Sequence, residues 1–305
     1  MRFLNFGSLN IDNVYSVDHF VRAGETLSAG DLQLFCGGKG LNQSIALKRS
    51  GLDVYHAGAV GRDGQMLLEL LEENGISTEF IARKDCPTGH AIIQNDKNGQ
   101  NCIMLYGGAN QSLTREDVDA VLDKFEAGDF ILLQNEINQM SYIMERAHAK
   151  GMKIILNPSP ADEKILEYPV AFVDYLILNE IEIRELYRAI TGEDSSAIEK
   201  EEDLLDAFIG RFPEMKIIMT LGSQGSVYKD KDQLARQGAY RVKAVDTTAA
   251  GDTFTGYLFG GLLSGQPVEV AMDMASRASA MAVMTKGAAP SIPWRSEVER
   301  FEPVS

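Results

Sequence analysis

The sequence predicts an α/β protein: a three-layer αβα arrangement around a mostly parallel central sheet, with a small β-sheet inserted into it. Two observations carry this expectation. Short β-branched or apolar runs alternate with segments of helical period, which is the pattern of βαβ units. Two stretches, 13–35 and 88–108, break the alternation with strands and turns and contain no helical pattern.

In chain order the strand candidates are RFLNFG, VYHAGAV, FILLQ, KIILN, YLILN and KIIMTLG. Helical patterns lie between them in GLNQSIALKRSG, DGQMLLELLEENG, TREDVDAVLDKFEAG, QMSYIMERAHAKG and NEIEIRELYRAITG. Several end in a glycine suited to a helix C-cap, with Lys or Arg in the last turn where the dipole favours a cation. The stretch 88–108 reads as a hairpin around NDKNGQN, TGYLFGGLL as a buried helix, and TGEDSSAIEKEEDLL as a charged surface connection. The expected division is a main α/β nucleotide- and substrate-binding domain (1–12, 36–87 and 109–305) and a β insert (13–35 and 88–108). An inserted sheet with one apolar face left over suits covering a ligand, pairing with a second copy, or both.

A chain of 305 residues, 45% of them hydrophobic, is long enough for a large core. Its 44 acids against 29 bases give a formal charge of −15, which argues against nucleic acid as a partner, because that binding is driven by clustered Lys and Arg. Cys36, Cys86 and Cys102 are widely spaced and form no CxxC pair, so neither a disulfide framework nor a thiolate zinc site is expected, and a reducing cytoplasm fits. The N-terminal run lacks the continuous apolar region of a signal peptide. No window approaches the ~18 apolar residues of a membrane span.

Ligands of an open parallel sheet bind beyond the carboxyl ends of its strands. There the sequence delivers Asn10 and Asp12 after the first strand, Glu136 after FILLQ, and Asn179, Glu180 and Glu182 at the end of YLILN. Thr220 closes KIIMT, and Gly222, Ser223 and Gly225 follow it. Singly, Asp12 and Asn179 suit caps or turns and Glu182 a solvated helix face; together they mark one crevice. CGGKGLNQS puts three glycines and Lys39 at a helix start, where backbone can approach a ligand and Asn42 projects from the first turn. The run has neither the Walker spacing nor GxGxxG, so a flexible tight turn explains it equally well.

In VDTTAAGDTF, very small residues at a helix start leave backbone N–H groups unshielded, which makes an anion site without a side-chain cation. Asp252 fits two roles there, an N-cap or the base that takes a proton from an attacking hydroxyl. Asp246, Thr248 and the later VMTKGAAPS add oxygen ligands that suit a hard cation.

With these residues in hand, the sequence resembles the ribokinase-like, PfkB-type carbohydrate kinases along essentially the whole chain. GSLNID, GGKGLNQS, NPSP, LNEIE, TLGSQG, DTTAAGDTF and KGAAPSIPW stand in the family's order. The resemblance implies a kinase that uses ATP to phosphorylate the primary hydroxyl of a small sugar, most simply D-ribose. It implies that Asp252 is the general base and that Ala249, Ala250 and Gly251 form the anion hole. Asn10, Asp12, Gly38, Lys39, Asn42 and Glu136 match sugar-contacting positions; Asn179, Thr220, Gly222, Ser223, Gly225, Gly251 and Ser276 match the nucleotide site. Glu182 matches an acid associated indirectly with magnesium. Asp246, Thr248, Ala282, Thr285, Gly287 and Ser291 match positions that hold potassium, and the β insert corresponds to a lid through which such proteins form homodimers.

Three positions depart from the usual pattern: Leu41 where Ala is common, Asn135 in LQNEIN, and Ser276 where a larger polar residue commonly meets the adenine. They leave the acceptor open to another sugar, of the deoxyribose or fructose type, or to a nucleoside. A sugar-binding regulator without turnover is a remoter alternative, disfavoured because such a protein needs neither Asp252 nor the cation-site residues.

Overall fold

The computed structural model describes residues 1–193, 195, 198 and 200–302. Its strands are β1 (Phe3–Phe6), β2 (Asn10–Ser16), β3 (Asp31–Gly37), β4 (Val54–Val60), β5 (Phe80–Arg83), β6 (Gly89–Asn95) and β7 (Asn101–Tyr106). They continue with β8 (Phe130–Gln134), β9 (Lys153–Asn157), β10 (Tyr175–Asn179), β11 (Lys216–Thr220), β12 (Ser226–Lys229) and β13 (Leu234–Gln237). The helices are α1 (Lys39–Arg49), α2 (Gln65–Glu73), α3 (Arg115–Leu122), α4 (Met140–Ala149), α5 (Glu180–Thr191), α6 (Glu201–Arg211), α7 (Ala250–Leu263), α8 (Val268–Ala282) and α9 (Arg295–Val298).

The large sheet has nine strands in the order β13-β12-β11-β10-β9-β8-β1-β4-β5. It is parallel from β11 to β5 and closes with the antiparallel pair β12 and β13. Its central strands are buried on both faces, which is why they read as continuous apolar runs rather than alternating ones. Leu4, Phe6, Ile131, Leu133, Ile154 and Leu156 pack toward α3 to α6, whereas Phe3, Phe130, Leu132, Ile155, Ile177 and Ile218 pack toward α1, α2, α7 and α8.

Helix α6 corrects one expectation, since the stretch read as a surface connection runs into a helix that buries Leu204 and Leu205. Glu201, Glu202 and Asp203 gave it the look of a solvated loop, yet three acids in a first turn complement the positive end of the helix dipole. Part of the remainder of 191–205 lies outside the described residues.

The small sheet has the order β3-β2-β6-β7, with antiparallel outer pairs and a parallel central pair. Because β2 begins at Asn10 and β3 runs on to Gly37, this sheet starts inside the segments expected of the main domain. Leu32, Leu34, Ile103, Met104, Leu105 and Tyr106 on its edge strands are exposed. Among the described residues no helix is long and apolar enough to cross a membrane.

The two helices that frame the site touch closely. A Cβ at Gly256 of α7 would sit 2.6 Å from the carbonyl carbon of Ala46 and 2.7 Å from the nitrogen of Leu47, so only glycine lets α7 lie directly on α1.

Candidate active site

Four neighbouring strands end in a polar residue. Gln134, Asn157, Asn179 and Thr220 close β8, β9, β10 and β11, with Gln134 beside Asn157 and Asn179 beside Thr220. Strand alternation turns all four toward the α1 and α7 side, in line with the apolar Leu132, Ile155, Ile177 and Ile218 beneath them. A cleft of about 240 Å³ opens over this row, lined by Lys39, Asn157, Ser159, Asn179, Glu182, Thr220 and the turn Ala249–Asp252.

The turn into α7 is built by Ala249, a non-glycine residue in the left-handed region (φ 60°), a strain that residues tolerate mainly at functional sites. It starts the helix so that its first amides lie at the cleft, and the hydroxyl of Ser279 on α8 anchors the turn by donating to the Ala250 carbonyl at 3.0 Å. Asp252 does not cap the helix. Its carboxylate is buried instead, with Oδ2 accepting from Asn42 Nδ2 at 3.0 Å and Oδ1 from Gln43 Nε2 at 2.9 Å. Asn42 Oδ1, also buried, has no partner within the described residues.

The turn has no cation of its own, but Lys39 at the start of α1 lines the same cleft. Burial alone would lower the pKa of this ammonium group; the carboxylates of Asp252, Glu136 and Glu182 outweigh that effect and raise it, so Lys39 is charged.

Glu136 Oε2 accepts from the Lys39 amide at 3.0 Å and from the Ser8 hydroxyl. Asp12 on β2 is pushed up to about 6, first by burial and then by the charge of Glu136. Asn10 accepts from Asn110 Nδ2 at 2.7 Å, and Asn110 Oδ1 accepts from the Leu9 amide at 3.0 Å, which pins the base of the small sheet. Gly38 holds φ 98° just before α1, a conformation that favours glycine. Asn10, Asp12, Gly38, Asn42 and Glu136 do not line the cleft; Glu136 is joined to it through the Lys39 amide and Asn42 through Asp252.

Asn179 caps α5 by accepting from the amides of Ile181 (2.9 Å) and Glu182 (2.8 Å), while Glu182 Oε2 accepts from the Asn179 amide at 3.0 Å. Glu182 is buried, not on a solvated face, and accepts a further bond from Ser159. Gly222, Ser223 and Gly225 form the turn from β11 to β12, and Ser276 is buried on α8; none of the four lines the cleft.

Asp246 clips two loops together. Its Oδ1 accepts from the Thr248 amide (2.9 Å) and hydroxyl (2.6 Å), and its Oδ2 from the Gly287 amide (2.9 Å). Burial pushes its pKa upward, but these donors outweigh it and hold the carboxyl below the usual range. The amides of Val245 and Asp246 both donate to the Val283 carbonyl. Ala282 ends α8, Thr285 is exposed, and the buried Ser291 donates to the Ala288 carbonyl at 2.8 Å. Among the described residues, no three His, Cys, Asp or Glu side chains converge as a metal site.

A cleft at the carboxyl ends of parallel strands, a buried carboxylate, a charged lysine and a glycine-rich helix start are the parts of a phosphoryl-transfer site. The sequence matches the pfkB family of carbohydrate kinases over residues 3–295. The chain belongs to that family. As a pfkB kinase it is 35% identical over 301 residues to the ribokinase of Staphylococcus aureus (strain COL), covering 96% of this chain and 97% of that one. The structure of ribokinase from Cryptococcus neoformans in complex with ADP matches with a TM-score of 0.85 and 32% identity, over 98% of both chains. Arabidopsis thaliana ribokinase complexed with ribose and ATP matches with a TM-score of 0.82 and 28% identity, over 99% of both.

Two of the departures from the expected pattern have packing roles. Leu41 is fully buried in the core on α1. Asn135 Nδ2 donates to the Pro160 carbonyl (2.7 Å) and to Asp162 (3.0 Å), and Tyr168 donates to its Oδ1, so it staples the loop after β9. Sequence reasoning named no role for Gln43, Gln134, Asn157 or Ser159, although Gln43 lies in GGKGLNQS and Asn157 and Ser159 in NPSP; for Gln134 the signal was only the polar residue that closes its strand.

Proposed function

We propose that this pfkB carbohydrate kinase transfers the γ-phosphoryl group of ATP to the primary hydroxyl of D-ribose, giving ribose 5-phosphate and ADP. The observation that carries the reading is the buried Asp252 carboxylate, held at the start of α7 in the same cleft as Lys39. The sugar lies among Asn10, Asp12, Gly38, Asn42 and Glu136. Its hydroxyl oxygen forms the new bond to phosphorus as the bond to the ADP oxygen breaks, and its proton passes to Asp252. The first-turn amides at Ala249, Ala250, Gly251 and Asp252, together with Lys39, hold the charge on the transferred group. The nucleotide runs toward Asn179, Thr220, Gly222, Ser223, Gly225 and Ser276. The names of the relatives support ribose as the acceptor.

The oxygen donors present fit hard cations. Glu182, which lines the cleft, would hold magnesium indirectly, and that ion when bound neutralises phosphate charge. Asp246, already held ionised, would hold potassium with Thr248, Ser291 and loop oxygens at Ala282, Thr285 and Gly287, supplying a fixed positive charge behind the anion turn. Residues 13–35 and 88–108 form a lid over the main domain, and its exposed Leu34 and Leu105 suit pairing with a second copy, giving a cytoplasmic homodimer.

The test is a panel of ribose, deoxyribose, fructose, hexose phosphates and nucleosides, scored by ADP release with and without potassium. Ribose should give the highest kcat/KM, and potassium should raise kcat. A preference for a nucleoside overturns the acceptor, and stabilisation by ribose without ADP release revives the regulator.

A further inference from the structure

Behind the proposed base lies the buried amide of Gln43, a residue of GGKGLNQS to which the sequence assigned no task. Gln43 Nε2 donates one hydrogen to Asp252 Oδ1 and the other to Asn157 Oδ1, each at 2.9 Å, while its Oε1 accepts from Gln134 Nε2 at 2.7 Å. Both amide hydrogens are used, which fixes the orientation of the group. A flipped Gln43 would turn its oxygen on the Asp252 carboxylate and set two NH₂ groups face to face. Gln134 is itself held by donating to Asn5 Oδ1 at 2.8 Å, and Asn5 donates to Ser44 Oγ at 2.7 Å, which lies 2.7 Å from Nδ1 of His56. These five side chains are 0% exposed, so no solvent competes for their bonds. In the other direction Asn157 Nδ2 donates to Ser159 Oγ at 3.2 Å, and Ser159 donates to Glu182.

We infer that Gln43 is the positioning residue for Asp252. It holds Oδ1 while Asn42 holds Oδ2, so the carboxylate cannot rotate and its remaining lone pairs stay aimed at the cleft. Through Asn157 and Ser159 the same amide fixes the distance from Asp252 to Glu182, coupling the sugar side of the site to the phosphate side. Gln43 needs no contact with either substrate for this, which separates it from Asn42. The inference rests on the reading of Asp252 as the base.

The experiment measures kcat and KM for Gln43→Met and Gln134→Met, each alone and in an Asp252→Asn background, with thermal unfolding to establish that each variant folds. A misplaced catalytic group loses about 10²-fold, so Gln43→Met should lower kcat about 10- to 100-fold with both KM values within about threefold. In the Asp252→Asn background the same change should cost less than about twofold, because the group it positions is gone. Gln134→Met, which does not touch Asp252, should give a smaller loss with the same masking, and it decides the matter if Gln43→Met does not fold. Losses that multiply with Asp252→Asn, or a rise in KM at constant kcat, overturn the positioning role. If Asp252→Asn alone keeps kcat, the base reading is what fails.

Discussion

Asn42 Nδ2 donates to Oδ2 of Asp252 across 3.0 Å, joining the first turns of two helices at positions 210 residues apart in the chain. The bond explains why two stretches of small residues, each explicable alone as a turn or cap, form one site. With Oδ2 and Oδ1 both holding an amide hydrogen, Asp252 is oriented before substrate arrives. Replacing it with Asn keeps the shape and removes the proposed proton acceptor, so kcat should fall about 10²- to 10⁴-fold while ribose affinity, measured by calorimetry, changes little. A loss below about tenfold removes the base assignment.

On the proposed reading, Asp12 makes the sugar side sensitive to pH. Its carboxyl is pushed up to about 6 by burial and by the nearby charge of Glu136, and the ionised form is the one proposed to accept a sugar hydroxyl. The kcat/KM for ribose should therefore fall with an acid limb near pH 6, and Glu136→Gln, by removing the like charge, should move that limb to lower pH. The same shift works against stability: ionising Asp12 is harder in the folded chain than in the unfolded one, so stability falls as pH rises from about 4 to about 6. Asp12→Asn should raise Tm at pH 7.5 while weakening ribose binding, and an unchanged Tm with a flat kcat/KM profile would remove Asp12 from this role.

Much of this architecture was legible, and what escaped did so for physical reasons. The strands β8 to β11 declared themselves because a parallel sheet buried on both faces needs unbroken apolar runs. The four-residue strands β5, β12 and β13 escaped: β5 and β13 lie at the sheet's edges with partly exposed residues and β12 reads as the polar-flanked SVYK, whereas the equally short β1 is buried throughout and reads as apolar. The amide relay was hidden for a different reason. Gln43 reaches Gln134 and Asp252 over separations of 91 and 209 residues, and a lone Gln or Asn in an apolar run gives no sign of its partner. Lys39, expected among the sugar positions, lines the same cleft as the α7 turn, where its ammonium is a cation that VDTTAAGDTF itself lacks.

His56 ends the relay as a neutral ring. Complete burial pushes it from 6.5 down to about 3. Below pH 6.5 the unfolded chain therefore takes up a proton that the folded one refuses, and stability should drop by about 1.4 kcal/mol per pH unit until about pH 3. Urea midpoints followed from pH 7 to 4 test this, with His56→Gln as the comparison. The variant should show a shallower slope, by about one proton, and parallel slopes would mean that His56 titrates alike in both states.

Gly256 links the packing of the framing helices to the chemistry. An added methyl would press on the backbone of Ala46 and Leu47, atoms that cannot rotate away, so α7 must slide or tilt off α1. Such overpacking costs about 1–3 kcal/mol, enough to lower Tm by several degrees. The same movement pulls Asp252 on α7 away from Asn42 and Gln43 on α1, and a displacement near 1 Å costs about 10²-fold in rate. Gly256→Ala should therefore lower kcat and Tm together. Gly210→Ala, on α6 where a Cβ meets nothing within 4 Å, should raise stability by about 1 kcal/mol and leave kcat unchanged. If Gly256→Ala loses stability but keeps full kcat, the site is held by its hydrogen bonds alone and not by the close approach of the two helices.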